Sequence, residues 1–95
     1  MFSFLRKWLG RRERSDLHVL MYTRQGCHLC AEAWDVLVAN QKSWGFRLDQ
    51  IDVDTDWSLI GKYGDCVPVV LVNGTVRFRG KVNEVLLRRI LEREI

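Results

Sequence analysis

The stretch Tyr22-Thr23-Arg24-Gln25-Gly26-Cys27-His28-Leu29-Cys30 decides how the whole chain is read. Just before the first cysteine, His18 to Thr23 (HVLMYT) is short, apolar and β-prone, and Arg-Gln-Gly stops it, which predicts a buried strand. From Cys27 to about Gln41 the periodicity is helical. Leu29, Ala33, Val36, Leu37 and Asn40 fall near one face, and Ser43-Trp44-Gly45 ends the run. Strand, turn and helix therefore meet at a C-x-x-C pair.

Disulfide exchange needs one thiolate to attack a sulfur and a second thiol close enough to release the mixed disulfide. At a helix start, unpaired backbone N–H groups and the positive end of the helix dipole favour a sulfur anion, which makes Cys27 the expected nucleophile. Cys30, one turn along and expected to be more buried, is then the resolving thiol. Between them, a protonated His28 favours the reduced form if it faces the sulfurs, or it points into water. Leu29 reads as packing. The competing reading of the pair is half a zinc site, which Cys66 with His18 or His28 would have to complete, since no second C-x-x-C or H-x-x-x-H is present. A metal cluster shared between two chains is a further alternative.

Outward from the motif, Phe46 to Asp54 (FRLDQIDVD) reads as a second strand, and Thr55-Asp56 as the cap of a short helix that turns Leu59 and Tyr63 inward. Val67–Val72 and Thr75–Arg79 are β-rich and joined by Asn73-Gly74, whose two residues tolerate the positive φ of a tight hairpin. Lys81 to Ile95 closes the chain as a helix with Val82, Leu86 and Ile90 at fourfold spacing and Val85, Leu87 and Leu91 beside them. The order β-α-β-α-β-β-α predicts an α/β domain. A parallel strand pair made by a right-handed crossover, followed by an antiparallel hairpin, gives a four-stranded mixed sheet with helices on both faces.

The chain's single proline opens the third strand, where a proline needs special accommodation. A cis Val67-Pro68 bond would let Val67 offer its N–H and C=O to an extended substrate, in the manner of strand addition; the alternative is an ordinary trans proline at a strand start. Cys66, just before it, is either a small apolar residue or a third thiol near Cys27. Arg77 and Arg79 flank Phe78 with the period of a strand and read as solvent-facing guards of an edge. Trp34, Trp44 and Trp57 read as core or half-buried packing.

Length and charge bound the rest. A chain of 95 residues is one domain. The formal charge of +3 resides in residues 1–16, which hold five basic side chains against two acidic ones, so residues 17–95 sum to zero. A neutral body argues against nucleic acid as a partner, because phosphate binding needs clustered Lys and Arg. Residues 1–16 read as a basic amphipathic extension, with Met1, Phe2, Phe4, Leu5, Trp8 and Leu9 on one side of a helix over residues 1–10. Packing on its own domain is the favoured fate of that helix over contact with a membrane surface, since about ten residues anchor weakly. Three cysteines do not form a secreted disulfide framework, so a reducing, cytoplasmic setting is expected. A monomer with no tightly bound cofactor and no metal is a separate expectation.

With Tyr22 to Cys30, Val67-Pro68 and Asn73-Gly74 in these positions, residues 17–95 resemble the glutaredoxin branch of the thioredoxin superfamily, and are most similar to small glutaredoxin-like proteins with a C-H-L-C centre. The resemblance implies a thiol–disulfide oxidoreductase acting on disulfide-containing or glutathionylated proteins. It also implies a cis Pro68, an Arg24 that faces a glutathione carboxylate, and a Val67 that pairs with the tripeptide backbone. Where such proteins usually carry Gly-Gly and acidic residues before the last helix, this chain has Gly80-Lys81-Val82-Asn83-Glu84. Both glutathione and a thioredoxin-reductase-type donor therefore stand as expected reductants. A metal or iron–sulfur carrier and a redox-sensing adaptor are the alternative functions.

Overall fold

Alternation along the first strand determines the architecture. A computed structural model describes residues 16–94. In it β1 (His18–Thr23) turns Val19 and Met21 into one apolar cluster and Tyr22 toward another, so the strand is covered on both faces. It lies inside a sheet of order β2-β1-β3-β4, parallel to β2 (Arg47–Asp52) and antiparallel to β3 (Val69–Val72), which pairs in turn with β4 (Thr75–Arg79). The helices are α1 (His28–Trp44), α2 (Trp57–Tyr63) and α3 (Glu84–Glu94). The order and the mixed sheet are those expected from the sequence. The expected helix over residues 1–10 lies outside the described residues, as does all of the 1–16 extension except Asp16.

Two cores follow from the two sheet faces. The larger joins Val19, Met21, Val70, Val72 and Phe78 to Cys30, Ala33 and Leu37 of α1 and to Leu87, Ile90 and Leu91 of α3. The smaller joins Val69 to Val53 and Tyr63, with Tyr22, Leu59, Cys66 and Val76 packed against it. Tyr22 and Tyr63 stack with ring centroids 4.7 Å apart, which fastens α2 to β1.

Several element ends differ from the sequence expectation, each for a local reason. The second strand stops at Asp52, whose carboxylate accepts the Asp54 N–H at 2.9 Å and whose carbonyl accepts the Thr55 hydroxyl at 2.7 Å; Val53–Thr55 becomes a single 3-10 turn. The third begins at Val69 because Pro68 has no N–H to donate to a ladder. The last helix begins at Glu84, with the Asn83 side chain capping it by accepting the Leu86 N–H at 2.9 Å. Its buried stripe is narrower than expected, since Val85 and Leu86 are exposed. On α1 the stripe runs through Cys30, Ala33, Leu37 and Asn40 and leaves Leu29 43% exposed. Trp57 is not core: it opens α2 and is 88% exposed.

The hairpin is as expected, with φ of 49° at Asn73 and 85° at Gly74. Asn73 also accepts the His18 N–H at 2.9 Å and donates its amide to Glu94 at 2.9 Å, joining the turn to β1 and α3. On β4 the regular alternation fails: Val70 opposes Phe78 but Leu71 opposes Val76, so Arg77 is the extra residue of a β-bulge.

Candidate active site

The chain leaves β1 at Thr23 and turns through Gly26, whose φ of 75° suits glycine, so that the Cys27 N–H reaches the Arg24 carbonyl at 3.3 Å. Cys27 is the N-cap of α1: its sulfur accepts the Cys30 N–H at 3.1 Å and its carbonyl accepts the Ala31 N–H at 3.2 Å. Cys27 and Cys30 are joined as a disulfide, with Cα atoms 5.1 Å apart. Cys30 is 3% exposed and belongs to the larger core, whereas Cys27 is half-buried at its margin. Of the two cysteines Cys30 is thus the more buried, the order expected from the sequence.

Val67 and Pro68 sit on one side of the pair. The peptide between them is cis, Pro68 is buried, and the Val67 carbonyl oxygen lies 4.0 Å from the Cys27 sulfur. An open cleft of about 440 Å³ is lined by both cysteines together with Thr23, His28, Trp34 and Gln50. His28, the first residue of α1, is exposed and borders this cleft.

Arg24 also borders the cleft, but its guanidinium is engaged within the protein. Nε and one terminal nitrogen grip the Asp54 carboxylate at 2.9–3.2 Å, and the other terminal nitrogen donates to the Gly64 carbonyl at 3.2 Å. The Asp54 carboxylate, through its hydrogen bond and then its charge, raises the Arg24 pKa still further above its already basic ordinary value. In the sequence Asp54 reads only as the end of the second strand and Gly64 only as a residue that keeps the following helix short. An acid following the second strand is a common turn residue, and nothing near it announces a partner beside the cysteines.

Cys66 is half-buried in the smaller core with Tyr63 and Val69, and its N–H closes a turn on the Tyr63 carbonyl at 2.8 Å. Among the described residues no three His, Cys, Asp or Glu side chains are gathered as metal ligands, so Cys66, His18 and His28 are not assembled with the pair as a zinc set. No helix among the described residues is long and apolar enough to cross a membrane.

Comparison with known proteins sets this geometry in context. The family model described as glutaredoxin-like domain (DUF836) matches residues 18–92. Uncharacterised proteins of Mycobacterium tuberculosis and Mycobacterium bovis are 34% identical over 80 residues, covering 79% of this chain and 82% of theirs. Among solved structures, a protein of Nitrosomonas europaea superposes with a TM-score of 0.68 at 28% identity, over 78% of this chain and 89% of its own. The thioredoxin of Fasciola hepatica superposes with a TM-score of 0.60 at 22% identity, over 88% and 86%, a likeness of fold.

Proposed function

The chain belongs to the glutaredoxin-like domain family of the thioredoxin superfamily, and from that premise we propose that it is a thiol–disulfide oxidoreductase reducing protein disulfides or glutathione mixed disulfides through Cys27 and Cys30. The observation that carries the reading is the placement of Cys27 as the cap of α1, half-accessible, with the buried Cys30 within bonding reach.

In the reduced protein the Cys27 thiolate attacks one sulfur of the substrate disulfide. A mixed disulfide forms and the other substrate sulfur leaves as a thiolate, taking a proton from water. The Cys30 thiol, losing its proton, then attacks the Cys27 sulfur and displaces the second substrate sulfur. The substrate gains two electrons and Cys27–Cys30 becomes the disulfide. A donor, either two glutathione molecules or a thioredoxin-reductase-type dithiol, returns the pair to the reduced state. The half-buried Val67 backbone beside Cys27 suits it to hold an extended substrate segment, and exposed His28 suits it to meet the substrate at the cleft rim. A reducing cytoplasm is the compartment in which this direction of exchange proceeds.

The test is reduction of a disulfide substrate with glutathione and its reductase, run beside the same assay with thioredoxin reductase as donor. Turnover is expected with at least one donor, to be abolished in Cys27→Ser, and Cys30→Ser is expected to retain mixed disulfides. Equal turnover in wild type and Cys27→Ser would reject the proposal.

A further inference from the structure

Arg24 stands three residues before the nucleophile, where a free cation would be well placed to receive a substrate carboxylate. Its donors are directed elsewhere. Three of its nitrogen-to-oxygen contacts go to Asp54, and a fourth goes to the Gly64 carbonyl. We infer that Arg24 is a positioning residue, clamping the turn that carries Cys27 to the segment that leads into Val67, and is not the receptor for a substrate carboxylate.

The contacts form a closed circuit. The Arg24 carbonyl holds the Cys27 N–H, and the Cys27 sulfur faces the Val67 carbonyl at 4.0 Å. Val67 follows the turn closed by Cys66 N–H on Tyr63, and that turn contains Gly64, whose carbonyl returns to the Arg24 side chain. Asp54, from the 3-10 turn after β2, fixes the guanidinium from a third segment. One side chain therefore sets how the sulfur and the Val67 backbone stand relative to each other.

Gly64 supplies an independent observation. It is buried, and a Cβ there would come within 2.5 Å of the Ile60 carbonyl oxygen and 3.3 Å of an Arg24 terminal nitrogen. A side chain at this place would compete with the guanidinium for its approach to the carbonyl. The clamp also needs a planar fork: two parallel N–H groups meet one carboxylate while a third N–H points away to a carbonyl, which a lysine ammonium on its single stem does not reproduce.

The inference rests on the exchange reaction proposed above, and the experiment separates the two. Wild type, Arg24→Ala, Arg24→Lys, Asp54→Ala and the Arg24→Ala/Asp54→Ala double variant are compared in two measurements. The first is glutathione-dependent and reductase-dependent turnover. The second is the equilibrium constant of the Cys27–Cys30 pair against dithiothreitol, which needs no turnover. A positioning role predicts that kcat falls about tenfold in Arg24→Ala while KM for glutathione and for the disulfide stays within about twofold. The dithiothreitol equilibrium should shift by about threefold or more, Arg24→Lys should not rescue, and the double variant should lose no more than either single one. A KM for glutathione that rises while kcat holds would overturn the inference and make Arg24 a carboxylate receptor. An unchanged dithiothreitol equilibrium would overturn it as well. Wild type without turnover would defeat the exchange proposal alone, leaving the equilibrium measurement to judge Arg24. Should Arg24→Ala fail to fold, Arg24→Lys and Asp54→Asn carry the same comparison.

Discussion

The backbone N–H of Cys30 points at the sulfur of Cys27 from 3.1 Å, so the first cysteine is both the cap of α1 and half of the redox pair. Capping and reactivity can be separated by substitution, because a serine hydroxyl also accepts a helix N–H whereas alanine cannot. Cys27→Ser should therefore match the reduced wild type in stability, while Cys27→Ala should be less stable by about 1 kcal/mol. Both should lose turnover. Urea denaturation under reducing conditions measures the first effect and the reduction assay the second; equal stability of the two variants would show that the sulfur does not cap.

Much of the site was legible because its signals are local. The strand ending at Thr23, the turn at Gly26, the C-x-x-C and the Asn73-Gly74 hairpin each lie within a few residues, where backbone sterics and capping decide the outcome. The Arg24 clamp was not legible: Asp54 is 30 residues away and Gly64 is 40, and no spacing rule links them. Burial on the helices was legible to within one position. Helical periodicity supplies a stripe but not its centre, and it is the sheet beneath that chose Cys30 over Leu29 and Leu87 over Leu86. Trp57 shows the limit of composition, as a large ring at a helix start remained in solvent.

Asn40, on the buried stripe of α1, is a polar residue only 4% exposed, and its amide donates to the Val36 carbonyl at 2.8 Å and to Glu84 at 2.9 Å. It joins α1 to the first turn of α3, where Arg88 also reaches Glu84 at 3.3 Å. Asn40→Asp would replace this donor with a carboxylate facing another carboxylate. The variant should lose about 2 kcal/mol or more at neutral pH, a fall in Tm of about 10 °C, because a hydrogen bond to a charged group is lost and a buried charge is left opposed. Thermal melts decide it, and an unchanged Tm would mean that the amide contributes little to holding the helices together.

The acid limb of stability should report two surface carboxylates. Asp56 caps α2, and its carboxyl is held below the usual range by hydrogen bonds from the Ser58 hydroxyl and N–H, at 2.7 and 2.8 Å. Asp49 is held down chiefly by its hydrogen bond to His18 at 2.8 Å, which with the lesser pull of the Arg47 charge outweighs the opposing effect of desolvation. Since both groups are more acidic folded than unfolded, their stabilisation is complete above the ordinary carboxylate pKa. It is lost as pH falls through the folded value. Urea midpoints should therefore decline between about pH 5 and about pH 2, and less steeply in Asp56→Asn, which keeps the cap but cannot titrate. Identical slopes in that window would remove Asp56 from the account.

The bulge on β4 makes a prediction that runs against the usual expectation for a deletion inside a strand. A one-residue change of register turns every following side chain to the opposite face. Here, however, Val70 faces Phe78 and Leu71 faces Val76, so the strand already behaves as though Arg77 were absent from the alternation. Phe78 enters the larger core and Val76 the smaller one, an arrangement that unbulged pairing would permit only if the two were adjacent. Removing Arg77 makes them adjacent. The deletion forfeits an ion pair with Glu94 at 3.6 Å and the local twist of the bulge, for a cost of about 1–2 kcal/mol. Deleting Leu71 from β3 shifts an unbulged strand between two cores, and that protein should not fold cooperatively. Urea denaturation of the two deletions side by side checks the argument. A protein lacking Arg77 that unfolds as readily as the one lacking Leu71 would mean that the bulge itself, and not the facing of Phe78 and Val76, is what the sheet requires.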